Sequence, residues 1–61
     1  MKTLTISEWQ HATGATGEPD DAHGDPLSVD DVITVSDDGE SYCVGVPDGN
    51  EAWMRFDGKT I

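Results

Sequence analysis

Polar and apolar residues alternate along Lys2-Thr-Leu-Thr-Ile6, and the β-branched content predicts a first strand over 2–6 with Leu4 and Ile6 on one face. The alternation then breaks. Ser7 is followed three positions later by Gln10, the spacing of a capping box, and Glu8 stands where a helix dipole favours an acid. A short helix over 8–13, stopped by Gly14, is therefore expected, with Trp9 covering one open end of the core. From Gly14 to Pro26 no aliphatic residue exceeds alanine, and glycine, proline and acids dominate, which predicts a flexible acidic loop. Three runs with strand character follow at 31–36, 41–46 and 51–56. They are joined by Asp37-Asp-Gly-Glu40 and Pro47-Asp-Gly-Asn50, each with the Asp-Gly step that tight hairpins use. Asp57-Gly58 is a third turn signal, and 59–61 is read as a brief terminal strand.

The pattern predicts a mainly β (small α+β) fold, a four- to five-stranded antiparallel meander with one short N-terminal helix. The stretch Leu27-Ser-Val-Asp-Asp-Val-Ile-Thr-Val35, followed by short hairpins, resembles the opening of small SH3-like or related half-open barrels. The resemblance covers about half the chain, rests on patterning, and implies a curled sheet. Alternation directs Ile33, Val35, Tyr42, Val44, Val46, Ala52, Met54 and Phe56 inward with Leu4 and Ile6. The opposite parity places Trp53 and Arg55 on the outer face, with Cys43, Val32 and Thr34 as neighbours across the sheet.

Length confines this pattern to a single domain over 1–61, because so short a chain supports only one small core. Apolar residues make up 34% of it and gather at the start and in the second half, which leaves the middle outside the core. Charge changes the picture more. Thirteen acids face only Lys2, Arg55 and Lys59, for a formal net charge of −10. Such usage resembles that of proteins from extreme halophiles, where molar salt screens charge within about 3 Å. It also suits an acidic surface that imitates a nucleic acid and docks on a basic site of a host enzyme, with Asp30, Asp31, Asp37, Asp38 and Glu40 as its carboxylates.

An exposed tryptophan beside an arginine can hold single-stranded nucleic acid or a peptide by stacking, so Trp53 and Arg55, with Tyr42 and Cys43, form the candidate contact surface. The partner class, nucleic acid or protein, stays open, since so few cations neutralise almost no phosphate. A weak homo-oligomer is a further reading, because a sheet edge and a small core both favour association. No catalytic set is read. Cys43 is the single cysteine and lies mid-strand with no basic neighbour in sequence, as a structural thiol would. His11, His23 and Cys43 have no zinc-ligand spacing, the acids lack the twelve-residue calcium pattern, and neither metal nor cofactor is expected. The amino-terminal residues lack the apolar core of a signal peptide, and no run of eighteen apolar residues occurs. With no internal disulfide available, a cytoplasmic protein with no membrane association is expected.

Overall fold

Two overlapping Ser/Thr-x-x-Glu/Gln spacings compete to open the helix, and the earlier one wins. The computed structural model describes residues 1–56. In it β1 spans Lys2–Thr5 and α1 follows directly as Ile6–Thr13. Thr5 stays extended and is the N-cap: the Glu8 N–H donates to Thr5 Oγ1 at 3.1 Å, and the Thr5 N–H donates to the Glu8 carboxylate at 2.8 Å. The cap is thus Thr5 with Glu8, not Ser7 with Gln10, and Ile6 is helical rather than the last residue of the strand. The physical reasons are two. A charged carboxylate makes a stronger reciprocal bond than an amide, and starting at Ile6 puts Ile6 and Trp9 one turn apart, both buried. Gly14 ends the helix as expected, in the left-handed region at φ 75°, with its N–H on Gln10 O at 2.8 Å.

This cap gives a direct test. Thr5→Ala should lower stability by about 0.5–2 kcal/mol, whereas Ser7→Ala, on an exposed helical position, should stay within about 0.5 kcal/mol. Thermal melts of the two variants compare them; the opposite ranking would return the cap to Ser7.

The remaining strands are β2 (Val32–Val35), β3 (Ser41–Val44) and β4 (Met54–Arg55), in the sheet order β1-β2-β3-β4 with every pair antiparallel. The meander is as the pattern predicts, and the sheet is open, with β1 and β4 at its two ends. The terminal strand at 59–61 and the Asp57-Gly58 turn lie outside the described residues. Leu4 faces Ile33 and Ile33 faces Val44, while Val35 faces Tyr42 and Tyr42 faces Met54, so one side of the sheet is predominantly apolar.

On that side Leu4, Ile6, Trp9, Leu27, Ile33, Tyr42 and Phe56 form the core, with Ala15, Val35 and Met54 partly buried against it. Phe56 is its hinge pin: it stacks on Trp9 at 5.1 Å between ring centroids and 8° between planes, and meets Tyr42 at 4.6 Å. Trp9 does cover the core, as expected. Val44, Val46 and Ala52 do not join it and are exposed. The cause is the early end of β3. Gly45 takes φ 79°, and its N–H donates to Val32 O at 2.8 Å, so the chain leaves the sheet at 45 and returns only at Met54. Residues 45–53 thus form a connection longer than the tight hairpin expected around Asp48-Gly49.

The segment 14–26 is tied to the core through backbone and ring contacts. The Tyr42 hydroxyl donates to Asp20 O at 2.5 Å, the Leu27 N–H donates to Pro19 O at 3.0 Å, and Pro19 is buried.

Candidate binding surface

Strand parity puts Thr3, Val32, Thr34, Cys43 and Arg55 on the side of the sheet away from the core. Its centre is closed. Thr34 and Cys43 face one another in register and both are buried. The Thr34 hydroxyl donates to Gly45 O at 2.8 Å and accepts from Thr3 Oγ1, also at 2.8 Å, so its one proton and a lone pair are both used. Burial pushes the Cys43 thiol up, and the Glu51 and Asp48 carboxylates raise it further. A thiol so placed is protonated at neutral pH and poorly nucleophilic.

Trp53, immediately before β4, is 41% exposed. Arg55 is exposed and its guanidinium stands 3.6 Å from the Glu40 carboxylate. Of the four residues that the sequence groups, only these two are exposed. Cys43 lies on the same side of the sheet as Arg55 but is buried, and Tyr42 lies on the core side with its ring against Phe56. The separation of Tyr42 from Cys43 is inevitable for adjacent residues of one strand.

The candidate acidic residues are all exposed, yet most also make local bonds. Asp31 accepts the Ser28 N–H at 2.8 Å. Asp38 accepts the Ser36 hydroxyl at 2.5 Å and the Glu40 N–H at 3.0 Å, bonds that hold its carboxyl below the usual range. Asp37 receives the terminal ammonium of Met1, and Glu40 pairs with Arg55. Two acids outside that group act similarly. The Asp25 and His23 N–H groups lower the Asp21 carboxyl, and the Thr5 N–H and hydroxyl lower that of Glu8. Sequence reasoning places Asp38 in a turn and Glu8 at the helix start but missed Asp21, although an Asp that accepts the N–H two residues on is a recognisable turn signal.

Two open grooves flank the sheet. One, of about 420 Å³, runs between α1 and the β2–β3 turn over Leu4, Trp9, Ala12 and Val35, with Lys2 and Asp37 at its rim. The other, of about 500 Å³, lies between residues 20–24 and β4, against Met54 and Arg55. No family model, curated protein or solved structure matches the chain. Among the described residues no group of three or more His, Cys, Asp or Glu side chains is placed to hold a metal ion, and no helix is long and apolar enough to cross a membrane.

Proposed function

We propose that the protein is a small, non-enzymatic intracellular binding protein that presents its carboxylates to a basic site on another macromolecule. The observation that carries this reading is the placement of charge. None of the acids among the described residues is buried, while the terminal ammonium and Arg55 are each already set against a carboxylate. A surface so unbalanced repels phosphate and attracts lysine and arginine over a Debye length. Nucleic-acid binding through Trp53 and Arg55 draws support from the exposed indole alone, because Glu40 already engages the guanidinium. The half-open, SH3-like curl of the sheet belongs to the same proposal, supported by the unbroken meander order.

A second reading takes the acidity as adaptation to high salt. It is favoured by Glu8, Asp21, Asp31 and Asp38, whose carboxylates cap the helix or close turns within this chain.

Titration with an arginine-rich peptide and, separately, with a single-stranded oligonucleotide distinguishes the partners. The peptide should bind, more weakly as salt rises past about 0.15 M, and the oligonucleotide should not. Replacing Asp30, Asp37 and Glu40 by their amides spares the turn-forming Asp31 and Asp38 and should weaken peptide binding about tenfold or more. Saturable oligonucleotide binding would overturn the proposal.

A further inference from the structure

Two Asp-Gly steps lie among the described residues, and their hydrogen-bonded settings differ. An aspartyl carboxyl followed by glycine is the spacing at which a chain can modify itself, because a glycine nitrogen has no side chain beside it to block approach to the aspartyl Cγ. Attack there closes a five-membered succinimide ring.

Asp38-Gly39 is held against such an attack. It forms the β2–β3 turn, which the Ser36 N–H closes on Ser41 O at 2.9 Å, and the Gly39 N–H donates to Ser36 O at 3.0 Å. The Ser36 hydroxyl and the Glu40 N–H donate to the Asp38 carboxyl at 2.5 and 3.0 Å, which keeps it ionised and therefore a poor electrophile. Reaction at this step would have to break the turn.

Asp48-Gly49 is arranged in the opposite sense. Both residues are exposed, and from 46 to 53 no main-chain group bonds another main-chain group among the described residues. The Gly49 N–H donates instead to the Glu51 carboxylate at 2.8 Å, and the Asn50 N–H donates to Asp48 Oδ1 at 2.9 Å. A base thus stands on the nitrogen that would attack, and a donor on the oxygen where negative charge would develop. Outside its chain neighbours, nothing lies within 4 Å of the place a Gly49 Cβ would take, which leaves that nitrogen room to turn. We infer that Asp48-Gly49 is a self-modification site, at which the folded chain promotes conversion of Asp48 to isoaspartate with Glu51 as the general base.

The step starts from the protonated Asp48 carboxyl. The Gly49 nitrogen bonds to Cγ while its proton passes to Glu51, and the Cγ hydroxyl then leaves as water, taking that proton back. Glu51 is restored and one water is lost. Addition of water to the main-chain carbonyl of the ring reopens it with the chain running through the β-carbon. Charge is unchanged, while the connection between β3 and β4 gains one backbone carbon.

The protein is kept for some weeks at neutral pH in heavy-oxygen water, with a parallel sample in urea and a Glu51→Gln variant, and label and isoaspartate are located by electron-transfer fragmentation. Glutamine keeps an oxygen for the Gly49 N–H but cannot take its proton. Asp48 should take up label about tenfold faster than Asp38 in the folded protein, at nearly the same rate as Asp38 in urea, and about tenfold more slowly in Glu51→Gln. Equal label at the two sites in the folded protein, or a ratio that urea leaves unchanged, would overturn the site. A folded Glu51→Gln variant reacting at the original rate would overturn it as well. Should that variant not fold, the comparison of the unsubstituted protein with its urea sample still decides.

Discussion

Phe56→Ala is expected to cost about 3–5 kcal/mol and to leave a large fraction of the molecules unfolded at 25 °C in low salt. Phe56 sits between Trp9 of the helix and Tyr42 of β3, so one ring joins the helix to the far side of the sheet. Its loss removes buried apolar area, opens a cavity, and leaves the indole of Trp9 without its stacking partner. A domain of this length has roughly 3–9 kcal/mol of total stability, at about 0.05–0.15 kcal/mol per residue, so the deletion consumes much of it. Amide dispersion in an NMR spectrum and a thermal melt report the outcome. At about 4–8 °C of Tm per kcal/mol, a fall of less than about 5 °C would mean that the Trp9–Phe56–Tyr42 stack is not the centre of the core.

Stability should also rise steeply with salt, by on the order of several kcal/mol between about 0.01 M and 1 M. The protein measures 29 × 24 × 20 Å, and the Debye length at 0.01 M is about 30 Å, so at low salt each charge acts on all the others. Two like charges about 10 Å apart in water repel by about 0.4 kcal/mol, and many such pairs are present at a net charge of −10. An expanded chain relieves this repulsion and a folded one cannot. Denaturation midpoints measured in NaCl and in KCl test the point. Equal midpoints across the range would show that the local bonds of Glu8, Asp21, Asp31 and Asp38 offset the repulsion without screening. Those bonds tie carboxylates to nearby N–H and hydroxyl groups at 2.5–3.0 Å, and salt affects them far less than it affects long-range repulsion.

The candidate surface was legible only in part. Alternation separates Tyr42 from Arg55 by face, because period two is a property of any extended chain. Exposure is different. Cys43 and Thr34 have the parity of an outer face and are nevertheless buried, and the Gly45 carbonyl comes over Thr34 to accept its hydroxyl. Val44 has core parity and is nevertheless exposed, because β3 ends there. Neither outcome is encoded in parity; both depend on where a connecting segment goes after it leaves the ladder. The helix start shows the same limit at shorter range. Two capping spacings overlap in this stretch, and choosing between them needs the energy of burying Ile6 and Trp9 together against a sheet that the local sequence does not contain.

What the sequence determined by itself is the set of local periodicities and stops: a strand at the start, a helix ended by Gly14, an antiparallel meander with positive-φ glycines at 39 and 49, and a surplus of acid with too little cation to match it. These follow from backbone sterics and composition, which act over a few residues. Tertiary structure alone decided that Leu27 enters the core, that Tyr42 anchors residue 20, that Phe56 bridges Trp9 and Tyr42, and that Cys43 is buried. Each of these depends on contacts between residues far apart in the chain, and burial is a property of the neighbours a side chain meets rather than of the side chain itself.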